Sequence, residues 1–161
     1  MSELTAFDNR IDALIAALSP QRRKALATEI AKRLRKHQQQ RIKRQVTPEG
    51  KPFTPRQDQI LRSKKGRLKR EMFSKLRTAK YMKAKGSNND AVVEFTSRVK
   101  RMAEVHQYGL RDRPNVWAKE APYPSRPLLG LDAEDLKIVE DELLNVLAQA
   151  RPETTAAKSQ T

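Results

Sequence analysis

The chain has 161 residues, of which 37% are hydrophobic and 5% aromatic, so it can build one domain with a small core and polar extensions. Its 34 basic and 19 acidic side chains give a net charge of +15, and the lack of cysteine excludes disulfides and thiol catalysis. No apolar run approaches the roughly 18 residues of a membrane-spanning helix, and no signal-peptide pattern opens the chain, so we expect a protein made and kept in the cytoplasm.

Two helices are predicted in residues 1–45, which we interpret as an N-terminal helical arm. Apolar residues recur at helical spacing over residues 3–18. Ser19 and Pro20 then supply an N-cap and a first helical residue for a second helix that runs to about Gln45. The apolar stripe of this second helix thins out after Leu34. We therefore expect residues 37–45 to be a solvated extension or an arm that contacts another subunit.

A loop over residues 46–66 is predicted to link this arm to an α+β core over residues 67–150. The loop contains a turn at Pro48-Glu49-Gly50, and Phe53 is its large apolar anchor. Helical spacing of apolar residues predicts a helix over about 67–78. A β-hairpin follows, with strands over 81–85 and 91–96 joined by the turn Gly86-Ser87-Asn88-Asn89-Asp90.

A short helix is predicted after Ser97, and Gly109 ends it in the left-handed conformation. The face that it buries would hold Val99, Met102, Ala103 and His106. Residues 110–127 contain four prolines and are predicted to be irregular.

Asp132 is predicted to cap the last helix, with Leu131 and Leu136 as a hydrophobic staple. Its buried stripe would consist of Leu136, Val139, Leu143, Val146 and Leu147. The helix should end before Pro152, and residues 151–161 are predicted to be a disordered tail. The predicted fold class is thus α+β, with long N-terminal helices, a small antiparallel hairpin sheet and a packed C-terminal helix.

The residues that could carry catalysis are few and badly placed. His37 and His106 are the two histidines, and the five glycines are scattered. The sequence therefore offers no nucleophile with a base, no zinc-ligand spacing and no phosphate-binding loop. We expect no enzymatic activity, no metal and no cofactor.

The positive charge is concentrated in residues 20–85, which carry 23 basic and 4 acidic side chains, whereas residues 131–161 carry 3 basic and 7 acidic ones. Its densest run, the basic run, consists of Arg62, Lys64, Lys65, Arg67, Lys69 and Arg70. Such a run is most often a solvated face. Alternatively it contacts DNA phosphates or an acidic protein surface, without base stacking because no aromatic residue interleaves it.

Two further positions have both a structural and a functional interpretation. His106 could bond a nearby carbonyl at a helix-to-loop corner, or it could contact another subunit at an interface. Trp117 lies in a polar loop, where a lone tryptophan is most often a lid packed on its own domain and less often an interface anchor.

Four motifs follow one another along the chain: residues 47–53 (TPEGKPF), 72–77 (MFSKLR), 103–110 (AEVHQYGL) and 125–131 (SRPLLGL), with the acidic-capped helix after them. In sequence and in order they resemble the phage virion morphogenesis family, the tail completion proteins of temperate contractile-tailed phages. The resemblance covers about residues 5–150. It implies a structural protein of the virion, and the family pattern has no catalytic residues to transfer.

The resemblance also implies a role for particular residues and partners. A group that we call the corner would form an interface or a fixed structural turn: His106, Gln107, Tyr108, Gly109, Trp117, Arg126, Pro127 and Leu128. The protein would complete or terminate the tail, or form the neck that joins tail to head, as a homo-oligomeric ring with six members. Its partners would be the terminal proteins of the tail tube and sheath, the head connector, and double-stranded DNA in the lumen. It would reside in the virion, after assembly in the host cytoplasm.

Two rival interpretations stay open at this point. A chain this basic could instead be a nucleic-acid-binding protein, associated with the ribosome or nucleoid and contacting phosphates non-specifically. It could also be an assembly chaperone that the mature particle lacks.

Overall fold

The computed structural model describes residues 2–56 and 71–149. In chain order they form α1 (Ser2–Ala17), α2 (Pro20–Lys43), β1 (Met82–Gly86), β2 (Ala91–Phe95), α3 (Ser97–Tyr108), β3 (Arg111–Asp112), β4 (Ala121–Pro122) and α4 (Ala133–Gln149). Strands β1 and β2 form one two-stranded antiparallel sheet, and β3 and β4 form another. The described residues therefore confirm the α+β class, and each long helix lies where the sequence predicted it.

Helix α2 begins as its sequence dictates. The Ser19 hydroxyl oxygen accepts the N–H of Arg22 at 3.2 Å, and Pro20 occupies the first helical position, where its missing N–H costs nothing. The helix ends at Lys43, two residues before the predicted end, with Arg44 as the C-cap.

The predicted hairpin is confirmed to within one residue at its ends. Met82 pairs with Phe95 and Gly86 with Ala91, and the turn is closed by a hydrogen bond from Ser87 N–H to the Asp90 carbonyl. The hairpin lies against α2 so closely that a Cβ at position 86 would be 2.3 Å from the Thr28 backbone nitrogen. Glycine at this strand end therefore permits the close approach of hairpin and helix.

Within the described ranges, two apolar clusters stabilise the fold. The central cluster consists of Ile42, Phe53, Leu76, Met82, Val99, Ala103 and Leu128. The helical cluster consists of Leu18, Leu26, Ile30 and Leu34, against which Ala91, Val93, Ile138, Val139, Leu143 and Val146 pack. Because α2 contributes to both clusters, it is the element on which the hairpin and α4 assemble. The prediction that Phe53 anchors its loop is confirmed.

The expectation that residues 37–45 lie in solvent or on another subunit is wrong. His37, Gln38, Arg41 and Ile42 are all buried. Ile42 joins the central cluster, and the three polar residues face the start of α4. The stripe of α2 does not stop at Leu34, because polar side chains continue it and find polar partners.

The helix predicted over 67–78 is also wrong where it can be compared, because residues 72–77 form turns and residue 78 a bend. Phe73 has a left-handed backbone, with φ of 64°. Gln45 holds the segment: its side chain accepts the Met72 N–H at 2.8 Å and donates to the Met72 carbonyl at 2.9 Å. A tertiary contact therefore overrides helical spacing here. Residues 67–70 lie outside the described residues.

Two details of the helix faces differ from the predictions. In α3, Met102 is exposed and Val105 is buried instead. In α4, Leu136 is 59% exposed, and Leu131 before it is 64% exposed, so both predicted staple residues lie at the surface. The boundaries proposed between arm, linker and core stay a prediction. The linker residues 57–66 and the tail lie outside the described residues.

Candidate assembly interface

The corner is built where α3 ends. Gly109 adopts the left-handed conformation with φ of 65°, as predicted, and Leu110 donates its N–H to the Val105 carbonyl at 2.9 Å. A Cβ at position 109 would lie 2.9 Å from the Ser125 backbone nitrogen. Glycine is thus required twice, by the backbone angle and by the close approach of the returning chain.

Gln107 joins α3 to the segment that leads into α4. Its amide nitrogen donates to the Leu129 carbonyl at 2.8 Å, and its oxygen accepts the N–H groups of Leu128 at 2.8 Å and Leu129 at 3.0 Å. The Ser125 hydroxyl donates to the Gln107 carbonyl at 3.1 Å. One side chain therefore replaces the backbone partners that an irregular segment lacks, and it places the fully buried Leu128 in the central cluster.

His106 lies between two aromatic rings. Its ring centre is 4.8 Å from that of Phe73 and 5.3 Å from that of Tyr123, both in edge-on geometry. Its Nδ1 is buried and lacks a hydrogen-bond partner among the described residues. Burial lowers the pKa of His106, and the charges of Arg126 and Arg56 lower it further. The ring therefore serves as a neutral packing element of the corner.

Arg126 is 5% exposed, and its hydrogen bonds connect the corner to the loop after α2. Its Nε donates to the Thr54 carbonyl at 2.7 Å and its Nη2 to the Pro55 carbonyl at 3.1 Å, while its backbone N–H donates to the His106 carbonyl. Burial lowers the pKa of Arg126, and the nearby charge of Arg56 adds to this effect. Arg126 thus positions two irregular segments against each other.

The remaining corner residues divide by exposure. Pro127 is half-buried beside Leu128. In contrast, Tyr108 is 69% exposed and Trp117 is 93% exposed, next to Val116 at 79%. The interpretation of Trp117 as a lid packed on its own domain is therefore wrong. Side chains of this size in solvent are candidates for contact with another molecule.

A second polar site, which the sequence analysis missed, lies at the start of α4. Asp132 and Asp135 form a reciprocal capping box: the Asp135 N–H donates to Asp132 Oδ1 at 2.8 Å, and the Asp132 N–H donates to Asp135 Oδ2 at 3.0 Å. Burial would raise the pKa of Asp132, but the Asp135 N–H, His37 and Arg41 together hold it below its usual value. The predicted cap is confirmed, and it is part of a larger network.

Helix α2 supplies the other half of this site, which we call the junction. His37 Nδ1 is 2.6 Å from Asp135 Oδ1, and Gln38 Nε2 donates to Asp135 Oδ2 at 3.0 Å. Arg41 Nη1 donates to Asp135 at 3.1 Å and to Asp132 at 3.3 Å. A fully buried carboxylate is thereby satisfied from three directions, as a buried charge requires.

Arg41 also reaches the segment before α4, donating its Nη2 to the carbonyls of Leu128 at 3.3 Å and Gly130 at 3.1 Å. The junction thus joins α2, the end of the corner and α4. The signal that could have revealed it is the position of His37, Gln38 and Arg41, which extend the stripe of Leu34 along one face of α2.

His37, Asp132 and Asp135 bring ligand-type atoms to within 4.8 Å of one another. Arg41 Nη1 donates to the Oδ2 atoms of both carboxylates, so these two acids are already paired with a cation of the same chain. The chemistry of this donor set is therefore that of an ion-pair network joining two helices.

The basic run of residues 62–70 lies outside the described residues, so its contact with DNA or an acidic partner stays a prediction. None of the helices in residues 2–56 and 71–149 is long and apolar enough to cross a membrane.

The fold and the corner together define a chain of α+β class, and the sequence comparisons show its family. The chain belongs to the phage virion morphogenesis family, whose model matches residues 2–148. It is 42% identical over 145 residues to the tail completion protein S of Escherichia phage P2, an alignment that covers 89% of this chain and 97% of that protein. No solved structure matches the chain. The resemblance that the sequence motifs indicated is confirmed.

Proposed function

We propose that this protein completes the phage tail as a structural subunit of the virion and transforms no substrate. The observation that carries this proposal is the similarity to a tail completion protein along 97% of that protein's length. A match of this extent includes the irregular segments as well as the helices, so the similarity is not confined to the core.

The hydrogen bonds of the polar side chains favour a role in assembly over a role in catalysis. In the corner, the Gln107 amide makes three hydrogen bonds to backbone groups, and the Arg126 guanidinium bonds two carbonyls. In the junction, the acids are bound by cations and N–H groups of the same chain. Side chains engaged in this way fix a shape, and a fixed shape is what a subunit must present to its neighbours.

The finer part of the proposal is a ring of six copies at the head-proximal end of the tail or in the neck. The exposed Tyr108, Val116 and Trp117 support it, because they offer each subunit an apolar surface for a neighbour. Within the virion the ring would contact the terminal proteins of tail tube and sheath on one side and the head connector on the other. Double-stranded DNA passing through the lumen would meet its basic residues.

The test is a phage whose gene for this chain carries an amber mutation, grown in a non-suppressing host. We expect filled heads and separate, uncompleted tails in electron micrographs, and recovery of infectious particles when purified protein is added to the lysate. Fully infectious particles with heads firmly attached would overturn the proposal.

The two rivals are separated by further measurements on the same material. A nucleic-acid-binding protein would be a monomer whose affinity for duplex DNA falls steeply as salt rises. A tail subunit would instead form a defined assembly, visible by light scattering. An assembly chaperone would be missing from purified virions by mass spectrometry, whereas a structural subunit would be present at a fixed ratio to the other tail proteins.

A further inference from the structure

Helix α2 presents a continuous row of side chains to solvent on the side opposite its buried residues. We call it the outer row. Its members follow one another at intervals of three or four residues, so they lie along one side of the helix. All of them are exposed: Arg22, Ala25, Glu29, Lys32, Lys36, Gln40 and Lys43. The row is roughly 32 Å long. It is held rigidly, because the buried side of the same helix belongs to both apolar clusters.

The positive charge of the outer row is not neutralised within the described part of the chain. Helix α2 carries nine Lys and Arg side chains and one acid, Glu29. Glu29 is paired with Lys32 at 3.2 Å. On the other side of the helix, Arg33 and Arg41 are paired with acids of α4. Three cations of the outer row have no acidic partner among the described residues: Arg22, Lys36 and Lys43.

The stability of the helix does not account for these cations. Arg22 lies in the first turn of α2, where the helix dipole favours acids, and this turn contains no acid. Lys32 and Lys36 are four residues apart, a spacing at which like charges repel. Lys43, in the last turn, is the member of the row that the dipole favours. A row that is mostly unfavourable for its own helix indicates a negatively charged partner outside the chain.

The composition of the outer row indicates which kind of partner it fits. The row contains no aromatic ring and no apolar side chain larger than that of Ala25. The centre of a protein–protein interface is instead poor in lysine and rich in aromatic residues, and single-stranded nucleic acid is bound by rings on which its bases stack. Duplex DNA carries one phosphate charge per about 1.7 Å of its axis, so several cations of a straight row can contact phosphates at once.

We propose that the outer row of α2 binds the sugar–phosphate backbone of double-stranded DNA. Contacts with phosphates position a protein on the duplex without reading its bases, so the binding has no sequence preference. The exposed Tyr108, Val116 and Trp117 lie outside α2, so contacts with DNA and with neighbouring subunits use different side chains. The inference rests on the proposed function only for the source of the duplex, the phage DNA that would pass through the lumen.

The experiment measures the affinity of the purified protein for a short fluorescein-labelled DNA duplex, by fluorescence anisotropy over a series of sodium chloride concentrations. The outer-row variant combines Arg22→Gln, Lys36→Gln and Lys43→Gln, because glutamine removes the charge and is well tolerated in helices. At low salt we expect its affinity to be at least ~10-fold lower than that of the wild type. The slope of log affinity against log salt should be smaller by about 3, one for each lost phosphate contact. A second duplex of unrelated sequence should give the same values.

The matched control combines Lys75→Gln, Arg98→Gln and Lys100→Gln, three exposed cations outside α2. The net charge falls by the same amount in both variants, so long-range attraction to DNA is reduced equally. The basic run is intact in both, so any contribution from it cancels in the comparison. We expect the control to keep the salt slope of the wild type. Circular dichroism verifies that both variants are folded.

Three results would overturn the inference. The first is a wild type that does not bind the duplex. The second is an equal loss of affinity and slope in both variants, which would show an effect of net charge alone. The third is an outer-row variant that binds DNA as the wild type does. If that variant also failed to restore infectivity to the amber lysate, the row would instead contact an acidic protein surface.

Failure of this inference and failure of the proposed function give different results. If the outer-row variant binds DNA like the wild type and restores infectivity to the amber lysate, the inference fails while the tail-completion role stands. If the protein binds DNA through the outer row but infectivity never depends on the chain, the proposed function fails and the assignment of the surface stands.

Discussion

In most proteins charged side chains are exposed and large apolar ones are buried. Two regions of this molecule show the reverse: the junction between α2 and α4, and the loop between β3 and β4. At the junction, Arg41 is 1% exposed and Asp135 is 0% exposed, whereas in the loop Trp117 is 93% exposed. Burying ions costs desolvation energy that only complete pairing offsets. The junction is therefore stable only when α2 and α4 are arranged so that their charged side chains meet. An exposed indole contributes little until a partner covers it. From this comparison we propose that separate parts of the chain maintain the fold and take part in assembly, and the following changes test that separation.

Arg41→Ala should have the largest effect on stability. It leaves the buried Asp135 carboxylate without its cation and the carbonyls of Leu128 and Gly130 without a donor. We expect a loss of about 3–5 kcal/mol in the free energy of unfolding, measured by urea denaturation. Arg44→Ala, an exposed position at the end of the same helix, is the control and should change stability by less than about 0.5 kcal/mol. Equal stability of the two variants would refute the role of the junction.

Gln107→Leu should have the next largest effect. It removes the three hydrogen bonds that hold Leu128 and Leu129 while keeping a similar side-chain volume. Leaving part-buried backbone groups unpaired costs about 2–3 kcal/mol, again measured in urea. The exposed Gln40→Leu serves as control, and a stable Gln107→Leu protein would show that water replaces the lost partners.

Asp132→Ala should lower the free energy of unfolding by about 1 kcal/mol, because it removes the partly exposed carboxylate that caps α4. Asp132→Asn keeps an oxygen that can accept the Asp135 N–H, so it should recover most of the loss. The two variants are compared by thermal unfolding at neutral pH. If Asn were as destabilising as Ala, the charge rather than the cap would be the important contribution.

The protonation of His106 should contribute to the pH dependence of the free energy of unfolding. Its pKa is lower in the folded than in the unfolded state, so the unfolded chain binds more protons, and stability falls as pH drops below about 6.5. Asp132 also has a lowered pKa, but its contribution is lost only near and below pH 3.8. His106→Gln should therefore flatten the stability profile between pH 7 and 5. An unchanged slope in that window would contradict the neutral, packed state of this ring.

Trp117→Ala should have the smallest effect on the monomer, less than about 0.5 kcal/mol in the free energy of unfolding, because the side chain makes little contact with its own subunit. Its effect on assembly should be the largest of the five. Unfolding is therefore measured at a concentration below that of assembly, and light scattering above it. A marked destabilisation of the monomer would show that the loop and the fold are not separate.

The sequence predicted the features that local rules control. Ser19 and Pro20 start α2, Gly109 ends α3, Asp132 caps α4, and the turn of residues 86–90 joins the hairpin strands. Each of these caps and turns depends on side chains within a few positions along the chain, so a short stretch of sequence is enough to predict it. The motifs shared with the family likewise indicated the class of protein before the fold was known.

The corner shows where such prediction stops. Its left-handed glycine was predictable, but the three backbone partners of Gln107 lie about twenty residues further along the chain. Nor could spacing indicate that Gln45 would hold Met72 and replace a helix by turns. The exposure of Trp117 had no local signal, because a lid and an anchor have the same sequence around them.

What the sequence by itself determined is the order and type of most elements, their caps and the family of the protein, since these follow from neighbouring residues and from motifs. Only the tertiary structure decided which polar residues are buried and which apolar ones are not. His37 and Arg41 look like solvated helix residues until α4, more than ninety positions away, brings two carboxylates to them. Burial of charge is favourable only when both partners arrive together, and that meeting is a property of the folded chain.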